Sequence, residues 1–328
     1  MAQGRQRCRQ ILMLLAGLAI VASARAEQYL EQISIVDPVH FAAASAPRTI
    51  PVRVLYPTES RGRLPVILFS HGAGLSRDHY SQLTHHWARA GFIVLQPDHA
   101  GAAIDGFPAT APAPDDLWRS RITDLGKIAE AATELEEKVP ALASRVDARR
   151  LYLAGHSYGG HSAAALMGAR VWNERLGTYE DFTADSIQAA VLLALPGQGA
   201  GALKDEWAAR ASYMRVDWSR LHGNLLVVTG ENDAVAGMMT DRDPSWHEDI
   251  YRRSDHRPMC LLTMLGVGHY LGGIVDPRRS GAEDSARDSL ALLRSVSTGF
   301  LQNPGDGFTT RAAAAAAATG LGTMECRS

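Results

Sequence analysis

The chain has 328 residues, 46% hydrophobic and 21% charged, with 33 Lys and Arg against 35 Asp and Glu. That is enough apolar material for a large core, and it excludes a disordered or fibrous chain. A net charge of −2 leaves no electrostatic footprint for nucleic acid.

In chain order, Arg5, Arg7 and Arg9 come first, then an apolar run over 11–22 and Ala24-Arg25-Ala26. This is the layout of an export signal, residues 1–26, cleaved after Ala26. The run is short for a membrane span, so the expected mature chain, 27–328, is exported to the periplasm or beyond without an integral span. Cys8 leaves with the signal. Cys260 and Cys326 remain, and an oxidising compartment allows them to pair. A buried thiol at Cys260 and a free one at Cys326 is the alternative, because sequence does not supply the Cα separation a bridge needs.

Residues 29–36 and 49–56 read as an antiparallel edge pair, separated by Pro38 and Pro47. The run 64–70 is continuously apolar, as a strand buried on both faces should be, and it ends in His71-Gly72-Ala73-Gly74. A helix over 79–90 closes at Gly91. A strand over 92–96 follows, then Pro97-Asp98-His99 and a Gly/Ala/Pro-rich loop over 100–114. A long helical stretch is expected over 117–142. Strands are expected again over 151–154, 189–195, 225–229 and 259–265, and a helix over 282–300. The tail, about 303–328, is low in complexity, with seven alanines over 312–318. Strands alternating with helices argue for an α/β fold, a mostly parallel eight-stranded sheet covered on both faces, in one domain.

The chemistry centres on Gly155-His156-Ser157-Tyr158-Gly159. An apolar strand leads into it and a small-residue helix leaves it, the context of a G-x-S-x-G nucleophile elbow. A serine hydroxyl needs a base, and the base needs an orienting acid. His269 follows the last core strand among Gly266, Gly268, Gly272 and Gly273 and is the candidate base. Asp233, just past the preceding strand, is the candidate acid, with Asp241 and Asp243 as rivals in the same loop. The backbone N–H groups of Tyr158 and Ala73 are the candidate oxyanion donors. His99, at the same sheet edge, is a candidate for contact with substrate. The stretch Gly197-Gln198-Gly199-Ala200-Gly201-Ala202 formally matches a dinucleotide fingerprint, but it follows the sixth strand and a proline instead of opening the first βαβ unit. His79, His85, His86 and the Asp241/Asp243 pair lack zinc or calcium spacing. No metal and no organic cofactor is expected.

With these residues in hand the chain resembles α/β-hydrolases, in particular predicted dienelactone hydrolases. It is also similar to bacterial platelet-activating-factor acetylhydrolase-like and cutinase-like polyester hydrolases. The likeness rests on 51–57, 69–74, 91–94, 155–160, 230–233 and 268–273. True dienelactone hydrolases use a cysteine where this chain has Ser157, so the lactone substrate does not carry over. What the resemblance implies is hydrolysis of a carboxylic ester, whether small-molecule, lipid or polymer, through an acyl-enzyme. A peptidase or acyltransferase on the same triad, or a catalytically silent binding protein, are the other readings.

Overall fold

The structure, a computed structural model, describes residues 32–44, 48–100, 102, 117–276, 287–305, 316 and 319–328. The expected export segment, the 100–114 loop beyond residues 100 and 102, and the alanine run other than Ala316 lie outside the described residues.

The strands are β1 (Ile33–Ala42), β2 (Thr49–Pro57), β3 (Leu64–Ser70), β4 (Ile93–Pro97), β5 (Val146–His156), β6 (Arg170–Asn173), β7 (Thr178–Glu180), β8 (Ile187–Leu193), β9 (Val216–Asp217), β10 (Asn224–Gly230), β11 (Met259–Met264) and β12 (Gly322–Arg327). Nine of them form one mixed sheet in the order β1-β2-β4-β3-β5-β8-β10-β11-β12. Pairing is parallel from β4 across to β11 and antiparallel at the two edges. Among the described residues the expected eight strands become nine. The additional strand is β12, from the segment read as low-complexity tail, and it pairs antiparallel with β11. Its Met-Glu-Cys-Arg sequence carries little apolar signal, so only the exposed edge of β11 makes it a strand.

Side-chain alternation builds two cores from one sheet. On β3, Val66 and Leu68 join Trp118, Ile122 and Leu125 of the helix Leu117–Glu130. Ile67 and Phe69 point the other way, to Leu83 and Trp87 of the helix Ser81–Arg89 and to Leu293 and Phe300 of the helix Arg287–Gln302. The helices therefore cover both faces.

Two local expectations shift. The helical stretch over 117–142 stops at Glu130 and continues as the short turns Ala132–Glu134, Leu135–Lys138 and Pro140–Leu142. Val139 is extended (φ −128°, ψ 92°), as steric conflict with the ring of a following proline favours. In β1, Pro38 lies inside the strand instead of after it, where the register slips between Val36 and Val39. A residue without an N–H fits such a bulge. A three-stranded sheet, β7-β6-β9, stands apart from the main one; its strands are too short to show a period.

Candidate active site

β5 ends at His156 and the helix Tyr158–Leu166 starts two residues later, so Ser157 alone must turn the chain. It does so at φ 55°, ψ −119°, a left-handed φ that a non-glycine residue adopts only under strain, and its side chain makes no capping bond. The neighbouring glycines are required by backbone contact. A Cβ on Gly155 would stand 2.3 Å from the Gly159 carbonyl oxygen, and one on Gly159 would stand 2.0 Å from the Ser70 carbonyl oxygen. The end of β3 thus lies directly against the elbow helix. Tyr158 is the first residue of that helix, so its N–H has no acceptor one turn back. Ala73 sits exposed in the adjoining turn, where Gly74 takes φ +66°.

β10 and β11 run parallel, and their ends deliver the other two expected residues to the same edge. Asn232 N–H donates to the Val267 carbonyl at 2.9 Å. A Cβ on Gly230 would stand 2.5 Å from the Gly268 carbonyl oxygen. With the two loops held this closely, His269 Nδ1–H donates to Asp233 Oδ2 at 2.7 Å. That bond fixes the tautomer and leaves the Nε2 lone pair available to accept a proton. The Asp233 carboxylate is fully buried. Burial pushes its pKa up, but hydrogen bonds and charge from His247 and His269 outweigh this and hold it well below the usual carboxylate range.

A chain of hydrogen bonds ties the two halves together through the residue before Ser157. Gly72 N–H donates to Tyr80 Oη at 2.9 Å, and Tyr80 O–H donates to His156 Nδ1 at 2.9 Å. His156 Nε2–H then donates to the His269 carbonyl at 2.9 Å, and the two imidazole rings lie 4.8 Å apart. Burial lowers the pKa of His156 to about 3, with the nearby His269 ring adding to the effect. Both nitrogens are used by a neutral ring. Behind the oxyanion turn, buried Arg121 donates to the His71 carbonyl and lies 4.7 Å from the Tyr158 ring centroid. Sequence reading passes over Tyr80, Arg121 and His247. None has a motif of its own, and Tyr80 and Arg121 reach His156 and His71 across 76 and 50 residues of chain.

The remaining expected residues fall as follows. His99 is buried, its Nε2 2.8 Å from Ser70 Oγ and its N–H donating to His71 Nε2 at 3.3 Å. Asp241 is exposed, and Asp243 accepts from Ser245 N–H to cap the turn Pro244–Glu248, so neither rival serves His269. Two of the fingerprint-like glycines are explained by close packing, while Gly201 takes a left-handed φ of +66° in open space. A Cβ on Gly197 would meet the Trp246 carbonyl at 2.0 Å, and one on Gly199 would meet Met214 at 2.8 Å. Cys260 and Cys326 face each other across β11 and β12 and are joined in a disulfide.

Asp233, His247 and His269 each offer one ligand atom within 4.8 Å of the others. The 2.7 Å between Asp233 and His269 is shorter than the roughly 3.3 Å separating two ligands of a tetrahedral zinc. Asp233 and His269 satisfy one another as hydrogen-bond partners, and His247 Nε2 lies 3.3 Å from the same carboxylate oxygen. Among the described residues no helix is long and apolar enough to cross a membrane.

A sequence model of the chlorophyllase family matches residues 25–176. Chlorophyllase-1 of Arabidopsis thaliana is 32% identical over 134 residues, which is 40% of this chain and 36% of that protein. The chain thus spans little more than a third of the length of the curated relative it matches. The family match takes in Ala73, His99, Ser157 and Tyr158 and stops before Asp233 and His269. Over this segment the chain is similar to the chlorophyllase family.

Proposed function

We propose that the protein is a serine esterase that hydrolyses carboxylic esters through an acyl-enzyme. Ser157 Oγ attacks the ester carbonyl as His269 Nε2 takes its proton. The N–H groups of Tyr158 and Ala73 stabilise the oxyanion, whose charge develops only as the tetrahedral intermediate forms. His269 returns the proton to the leaving alcohol. It then activates water to release the acid, while Asp233 keeps the imidazole in the required tautomer. The observation that carries this reading is the Asp233–His269 bond, tied through His156 to the strained serine elbow. The likeness to a chlorophyllase supports ester chemistry and puts chlorophyll among the esters to test.

A cavity of about 330 Å³ lined by Trp118, Asn173, Arg175, Arg210, Ser212 and Tyr213 is proposed to take the larger group of the ester. It adjoins the elbow through Tyr213, whose ring lies 5.3 Å from that of Tyr158. The basic-then-apolar N-terminus supports action after export, and fractionation of expressing cells tests that.

The direct test is a fluorophosphonate probe together with p-nitrophenyl esters of graded acyl length. Wild-type protein is expected to label and to show a burst of p-nitrophenol. Ser157→Ala should abolish labelling and lower kcat by on the order of 10⁴–10⁶-fold. A wild type that neither labels nor hydrolyses any ester in the panel overturns the proposal.

A further inference from the structure

The acid of the site has a second histidine. His247 belongs to the turn Pro244–Glu248, started by the Asp243 cap and by Pro244. Its side chain is 1% exposed, and its Nε2 lies 3.3 Å from Asp233 Oδ2, within ion-pair distance, with no partner in good hydrogen-bond geometry. That is the oxygen that accepts from His269 at 2.7 Å; Oδ1 accepts from Val235 N–H at 3.0 Å. The other nitrogen, Nδ1, lies 2.7 Å from the Leu195 carbonyl oxygen. A carbonyl can only accept, so Nδ1 carries a proton. If His247 were neutral, Nε2 would then turn a lone pair toward a buried carboxylate. The ring has no easy escape. Trp246, fully buried, packs 5.1 Å from it, and Trp246 Nε1–H is held by the Gln198 carbonyl. Leu195 in turn sits against Gly160 of the elbow helix.

We propose that His247 is a positioning residue that stands doubly protonated, with Nδ1–H on the Leu195 carbonyl and the Nε2 side of the cation within ion-pair distance of Asp233 Oδ2. The site is then His–Asp–His, with one cation sharing the charge of the acid. This rests on the reading of Asp233 and His269 as the working acid and base. It has a chemical consequence. Removing the cation leaves a full negative charge beside His269, which favours a proton on that ring and silences the base at a higher pH.

The other titratable groups around the triangle are accounted for. His156 stays neutral, because burial lowers its pKa to about 3. Tyr270 stacks edge-on to His269. On the turn of His247 itself, Glu248 is engaged by Arg252 and Thr263, and Asp249 by Arg242, Arg253 and the Gln198 N–H.

The test compares pH profiles of kcat/KM for wild type, His247→Gln and His247→Phe. Glutamine keeps a donor without the charge. It should hold the plateau within about tenfold while moving the acid limb up by roughly one pH unit. Phenylalanine removes both, and about 10²-fold of the plateau should go with the placement of the acid. An acid limb that does not move in His247→Gln overturns the proposal. Nitrogen-15 histidine NMR of the wild type gives the same answer without a variant that must fold and without a substrate. Both nitrogens of His247 should be protonated at neutral pH, and an unprotonated Nε2 overturns the proposal. A protein with no esterase activity defeats only the functional reading, because the NMR result still decides the state of His247.

Discussion

The two halves of the site are built on opposite electrostatic plans. The nucleophile half, from β3, β4, β5 and the elbow helix, buries His71, His99, His156 and His161. Among the described residues none of these is bonded to a carboxylate. They bond to backbone carbonyls, hydroxyls and an N–H, which suit a neutral imidazole. The acid–base half, from the ends of β10 and β11 and the turn Pro244–Glu248, sets two histidines around one buried carboxylate. A neutral ring is inexpensive to bury and rigidifies a backbone turn. A buried carboxylate must be compensated, and here the compensation also sets the tautomer of the base. The histidines of one half supply geometry, with buried Arg121 as the cation behind them, and those of the other surround a buried negative charge.

Asp233→Asn tests the charged half. If no other carboxylate can serve His269, kcat should fall by about 10⁴-fold, as expected when a catalytic imidazole is held in the wrong tautomer. Ester assays measure this, and a loss below tenfold would mean the two halves do not divide as described. Gly159→Ala tests the neutral half. Its new Cβ would stand 2.0 Å from the Ser70 carbonyl oxygen, so the turn bearing Ala73 must move. The loss of one oxyanion donor should lower kcat by about 10²–10³-fold. The Asp233–His269 bond should survive, visible as a downfield imidazole proton by NMR. If that proton disappears as well, the halves are mechanically one unit.

A different readout is stability against pH. Burial lowers the pKa of His156 from 6.5 to about 3 and that of His161 to about 4, and it drives His71 and His99 well below 6.5. Below pH 6.5 the unfolded chain therefore binds protons that the folded chain refuses. Stability should be fully present above that pH and lost as the pH falls toward the folded values. Urea unfolding between pH 7 and pH 4 is expected to show a loss of at least about 1.4 kcal/mol per pH unit. A flat profile would mean the imidazoles of the nucleophile half are solvated.

The sequence by itself determined the parts whose cause is local. A strand running into Gly155-His156-Ser157-Tyr158-Gly159 and out into a helix can turn in few ways, so the elbow was legible. So were the apolar runs of the parallel strands, because burial on both faces leaves little room for polar residues. The positions of Asp233 and His269, each just past a core strand, followed from the rule that such sheets work at their carboxyl edge. Tertiary structure decided the rest. β12 is a strand because β11 offers it an edge, Cys260 and Cys326 meet because that pairing is in register, and Tyr80 and His247 matter because packing brings them to the site. Ser157 remains the centre that the sequence announced. What surrounds it (a neutral histidine scaffold on one side, a His–Asp–His cluster on the other) depends on contacts between residues distant in the chain. Local periodicity carries no record of those contacts.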